Sequence, residues 1–337
     1  MSHSLKGIDG LRAICALIIL LGHIPAKTFA GWDVDSISLP VCCAYVFFVI
    51  SGFLAGYRLS DWSSPRVYWI RKAKRLFPLY YSNILVSIIV FAILKRSDEV
   101  LNPRLLYYLF LVPSIPFCES NGIVPLVHLW FIGTLSLFYF VFALFANRCR
   151  NKGEKKAIAS AGIICVFWFI IKILIRFIWG KDTFAYRFVG VTCFDVLFLG
   201  VVGGLFLHKY GHILCKYGKY ANIVAIVSWL LFLLSGFYGN FIPAPVRIEF
   251  IAIIALAIIC SQQYVSFSRF LDNGFVRWLA SVSYEIYVTQ IIIIVLLSSA
   301  YCSLGFHLCD FSVYLITIVS VLVVSWIWKH ALRSLSF

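Results

Sequence analysis

The chain has 337 residues, of which 62% are hydrophobic and 13% charged, and it carries a formal net charge of +15. An average soluble domain is about 45–50% apolar and about 25% charged, so a soluble fold of this length has no interior large enough for so much apolar surface. The positive charge sits in short loops between apolar runs, which argues for topology determinants facing anionic lipid and against a nucleic-acid partner.

Ten apolar stretches are long enough to be read as membrane spans, near 8–24, 39–58, 79–95, 123–146, 157–179, 187–207, 220–238, 246–264, 279–300 and 311–330. The first, third and seventh are short or interrupted, so nine or eleven spans are the alternatives. Residues 104–117 are apolar but contain Pro113 and Pro116, and they read as an interfacial or re-entrant piece. The expected fold is an all-α, polytopic transmembrane helix bundle, with 1–337 as a single membrane domain and no appended soluble domain. No internal repeat, low-complexity tract or linker interrupts it.

The loops alternate in charge. One set holds Arg58, Arg66, Arg71, Lys72, Lys74 and Arg75, then Arg148, Arg150, Lys152, Lys155 and Lys156. Lys209, Lys216, Lys219, Arg269, Arg277, Lys329 and Arg333 continue it, whereas the opposite loops and flanks hold only Lys27, Lys95, Arg96, Arg104, Lys181, Arg187 and Arg247. Positive charge stays on the cytoplasmic side, so both termini are expected there. Reporter fusions at Lys156 and Phe337 should report cytoplasm, and one after Ser120 the outside; a cytoplasmic signal at Ser120 would overturn this topology. Lys6, Arg12, a short apolar run and Thr28-Phe29-Ala30 resemble a signal peptide, but Asp9 in the charged region argues against cleavage.

The eleven cysteines fall mostly inside apolar stretches, where a free thiol behaves as a small hydrophobe. Cys302 and Cys309 share an expected external loop and are either bridged or two free thiols. The seven histidines lack the spacing of a metal site, so no metal is expected.

Arg12 and His23 are eleven residues apart on one apolar run. On a helix that is roughly 16 Å, which puts one group near a membrane face and the other well inside. Ionisable residues so placed are costly and point to function. On spacing alone, a lone histidine such as His23 is more often a satisfied structural residue, and Arg12 reads as a snorkelling anchor.

The run IDGLRAICALIILLGH (8–23) resembles the opening signature of acyltransferase family 3, the integral-membrane enzymes that include O-antigen and peptidoglycan O-acetyltransferases. VFFVISGFLAG (46–56), YWIRKAKRLFPLYY (68–81), HLWFIGTLSLFY (128–139) and SVSYEIYVTQ (281–290) follow in the family's order. Many members carry two adjacent glutamates where Leu135 and Ser136 stand, and a histidine often ends the last motif where this chain has Gln290. The resemblance implies an acyl-CoA-dependent O-acyltransferase of the bacterial inner membrane. It would move an acyl group, acetyl from acetyl-CoA in the first instance, to a hydroxyl of a cell-surface polysaccharide or its lipid-linked precursor.

Such a transfer needs a base and stabilisation of the carbonyl oxygen. His23 is the natural base, because imidazole titrates near neutrality. Arg12 would contact the anionic donor, and the resemblance assigns the basic stretch with Arg71, Lys72 and Arg75 to coenzyme A, whose phosphates suit guanidinium groups. His128 and Trp130 are candidates on the acceptor side, or members of an interfacial aromatic belt. Lys172 and Arg176, four residues apart on one helix face, would meet an anionic acceptor or snorkel outward. Asp195, Glu249 and Glu285 are intramembrane acids without an assigned partner. The alternative function is a membrane transporter or flippase for a glycan or lipid, although the paired broken helices usual there are not visible.

Overall fold

The computed structural model describes residues 5, 7–24, 28–29, 32–33, 38–61, 64–238, 242, 246–265, 271, 273–304 and 311–335. Thirteen α-helices occur among the described residues. They are α1 (Ile8–His23), α2 (Leu39–Tyr57), α3 (Pro65–Ile93), α4 (Leu105–Leu109), α5 (Ser114–Cys118), α6 (Trp130–Cys149), α7 (Glu154–Trp179), α8 (Phe184–Thr192), α9 (Phe194–Lys216), α10 (Ala221–Phe237), α11 (Arg247–Gln262), α12 (Gly274–Leu304) and α13 (Phe311–Leu335). A two-residue antiparallel pair, Thr28–Phe29 with Trp32–Asp33, follows α1. The protein is an all-α, multi-pass membrane protein.

Each of the ten apolar stretches contains helix, but among the described residues eight helical segments are both long and apolar enough to cross a bilayer. The first and eighth stretches form α1 and α11, of 16 residues each, about 24 Å of helix. The stretch at 104–117 breaks into α4 and α5, with Leu111 at φ 60° between them. Its prolines and this left-handed residue prevent one continuous helix.

Lipid tails are as apolar as leucine, so helices in a membrane gain little by hiding apolar faces from them. Close backbone approach then becomes a main source of cohesion. Helices α2 and α9 meet in this way. Gly52 and Gly56 face Gly200 and Gly204, and a methyl group on Gly52 would overlap the Leu197 carbonyl. A methyl on Gly204 would likewise overlap the Phe53 carbonyl. Around this seam pack α1, α7, α10 and α11, while α12 lies against α1, and Leu11, Phe48, Phe53, Phe138 and Phe198 are fully buried. Helix α7 lies on the outside of the bundle, and among its described residues only Ala157, Ala161 and Lys172 are buried.

Candidate functional site

Helices α1 and α3 bring Arg12, Lys72 and Arg75 to the wall of one narrow cavity of about 100 Å³, which α12 completes with Ser283, Tyr284 and Tyr287. Arg12 donates to Ser283 Oγ at 3.2 Å and lies 3.6 Å from Asp9, and it feels the charges of Arg75 and Glu285. The Lys72 ammonium sits 4.3 Å from the centre of the Tyr139 ring, a cation–π contact that holds the lysine without neutralising it. No carboxylate is among the residues that line this cavity. Three cations with no acid in the wall suit an anion. Arg71, one turn before Arg75 on α3, is exposed and is not among the residues that line the cavity.

A second, wider cavity of about 900 Å³ opens beyond the C-terminal half of α1 and contains His23, His128, Trp130 and Lys172. His23 is the last residue of α1 and is exposed to this vestibule. Its Nδ1–H donates to the Ile19 carbonyl at 2.8 Å, one turn back on the same helix. A carbonyl can only accept, so the bond fixes the tautomer and leaves the lone pair of Nε2 available. His128 sits in the 3-10 turn Val124–Leu129, is buried, and donates Nε2–H to the Val288 carbonyl at 2.9 Å. Its Nδ1 has no hydrogen-bond partner among the described residues. The two imidazoles are close enough to act on each other's charge. Trp130 opens α6 and stacks on Phe117 with ring centres 5.0 Å apart, so it stiffens the vestibule wall.

The remaining two acceptor-side candidates behave differently. Lys172 turns into the bundle, 2.7 Å from an Asp195 oxygen and also paired with Glu249. It does not snorkel, and two carboxylates already neutralise its charge, which leaves little for an anionic acceptor. This pairing supplies the partners of Asp195 and Glu249. Arg176 is engaged with Tyr186, donating to its hydroxyl at 3.1 Å, and does not itself line the vestibule. The sequence did not single out Arg187, which lines the vestibule and donates to the Cys118 carbonyl and, at 2.9 Å, to Ser120 Oγ. Its place in an expected external flank concealed it. Nor did it single out Tyr287, an aromatic at helical spacing that reads as core.

Among the described residues no group of three or more metal-binding side chains comes together. Cys309 lies outside the described residues, and with it the candidate bridge to Cys302.

Fold and cavities define a membrane-embedded helix bundle with a cationic pocket and a histidine-bearing vestibule near its middle. The chain belongs to the acyltransferase 3 family, described as an acyltransferase domain, whose pattern matches residues 5–329. It is 24% identical over 318 residues to the peptidoglycan O-acetyltransferase OatA of Listeria monocytogenes, covering 86% of this chain and 49% of that protein. It is 25% identical over 216 residues to the O-acetyltransferase OatA of Staphylococcus aureus, covering 59% of this chain and 34% of that protein. The chain therefore spans about half or less of the length of the curated relatives it matches. No solved structure matches it.

Proposed function

We propose that the protein transfers an acyl group from a phosphate-bearing thioester, of which acetyl-CoA is the form to test, to a hydroxyl of a cell-surface glycan or its lipid-linked precursor. The observation that carries this reading is the narrow cavity walled by Arg12, Lys72 and Arg75 with no lining carboxylate. Its three cations suit the phosphates of such a donor. The basic face is then the cytoplasmic one, and the histidine vestibule receives the acceptor. The relatives' names, O-acetyltransferase and peptidoglycan O-acetyltransferase, favour acetyl as the group and a wall glycan as the acceptor.

In this reaction His23 Nε2 takes the proton of the acceptor hydroxyl as that oxygen attacks the thioester carbonyl. The new C–O bond forms, the C–S bond breaks, and the thiolate leaves toward the cations and is protonated by water. His23 then returns its proton to water in the vestibule. His128 supports the site from the buried side. Arg187 is the cation with spare donors for an anionic acceptor, a role that suits it better than the neutralised Lys172.

Acetyl transfer is tested with acetyl-CoA labelled in the acetyl group and membranes carrying the protein, with glycan-linked acetate read by mass spectrometry. Arg75→Ala should raise the apparent KM for the donor by about ten- to a hundred-fold, since a truncated charge-assisted contact typically costs about 1.5–3 kcal/mol. An unchanged KM in a normally inserted variant would reduce the cluster to a topology anchor.

A further inference from the structure

Tyr287 lines both cavities, and among the described residues it is the one side chain common to both walls. It is buried, and its hydroxyl donates to the His128 carbonyl at 2.6 Å. Its ring packs on Phe131 with centres 4.9 Å apart and against the His128 imidazole at 5.7 Å. One residue further along α12, the Val288 carbonyl accepts from His128 Nε2–H. The turn carrying His128 and the helix carrying Tyr287 are therefore latched in both directions.

We propose that Tyr287 is the partition between a donor chamber and an acceptor chamber. Its ring closes the passage between the cationic cavity and the histidine vestibule, and its hydroxyl pins the ring to the turn that presents His128. This rests on the acyl-transfer reading for its purpose, though not for its geometry. A bundle with a cavity toward each side needs a barrier, or small solutes would leak across the membrane. An activated acyl group needs the same barrier against water, which would add to the thioester carbonyl, break the C–S bond and release the free acid and thiol. One neutral hydrogen bond and two ring contacts hold the barrier, a small enough set to yield when donor and acceptor are both bound. Tyr287 is a positioning residue in this scheme. It excludes water and orients His128, and takes no proton.

The protein is reconstituted into liposomes as wild type, Tyr287→Ala and Tyr287→Phe, and two quantities are read. The first is the rate of osmotic swelling in glycerol; the second is acetyl-CoA hydrolysis without acceptor. Tyr287→Ala should swell faster than wild type and hydrolyse the donor about ten-fold faster, while Tyr287→Phe, which keeps the ring but loses the hydroxyl latch, should fall between the two in both. The conservative variant also controls for misfolding. Wild-type values for Tyr287→Ala in both assays would overturn the partition, and so would a Phe variant as leaky as the Ala one. Faster swelling of Tyr287→Ala in a protein that transfers no acetyl group would keep the partition and sink the donor assignment. Confirmed transfer with unchanged swelling and hydrolysis would sink the partition alone.

Discussion

His23→Gln should leave the protein inserted and able to bind donor, yet cut acyl transfer by about 10²–10⁴-fold, the usual contribution of a general base. The expectation follows from one hydrogen bond. Because Nδ1–H donates to the Ile19 carbonyl, Nε2 is the nitrogen left with a lone pair, and it belongs to a side chain exposed to the vestibule. Glutamine offers similar length and hydrogen bonding but cannot take up a proton at neutral pH. His23→Ala should therefore be no more than modestly worse than His23→Gln. The measurement is acylated glycan by mass spectrometry at matched expression. Near-normal product from the Gln variant would exclude His23 as the base. The role would then pass to His128, whose Nδ1 has no hydrogen-bond partner among the described residues but which is only 3% exposed.

Lys172→Met should destabilise the bundle by about 3–5 kcal/mol, the cost of stranding buried charge by removing its partner. Two carboxylates converge on this ammonium from different helices, Asp195 at the start of α9 and Glu249 at the start of α11. Without the cation they would face each other with no compensating charge. The triple variant Lys172→Met, Asp195→Asn, Glu249→Gln should recover most of the loss, since replacing a whole buried ion cluster is often close to neutral. Thermal unfolding of the detergent-solubilised protein separates the cases. A single variant as stable as wild type, or a triple variant as unstable as the single one, would show that this cluster does not hold α7 to the bundle.

The helices were legible from sequence because lipid imposes one rule, that an apolar segment of sufficient length becomes helix. Even so, boundaries slipped where polarity and helicity part company. Hydropathy begins the third span at 79, whereas α3 begins at Pro65, because the basic segment before it is helical too, with the Ser64 side chain accepting from the Val67 amide at its start. Arg12, Lys72, Arg75, His23 and His128 stand out in the sequence through charge in apolar surroundings and through motif spacing, as candidates. Partnerships do not. Lys172 and Glu249 are 77 residues apart, and nothing local in either segment shows that they meet. Tyr287 was hidden for a different reason. A buried tyrosine on a membrane helix is ordinary in one dimension and becomes distinctive only once two cavities are seen on either side of it.

The glycine seam between α2 and α9 also distributes stiffness through the molecule. With backbone set against backbone, α2 can neither rotate nor slide without steric overlap, so the wall of the cationic cavity that it supplies through Ser51 and Leu54 behaves as a fixed jaw. The facing wall is α3, which carries Lys72 and Arg75 and has Pro78 three residues further on. A proline there removes the hydrogen bond to the Lys74 carbonyl and leaves a soft point in the helix. The compliant member is thus the one that bears two of the three charges. Such a jaw can tighten on an anion by bending at a single place, while the glycine-locked half keeps its shape.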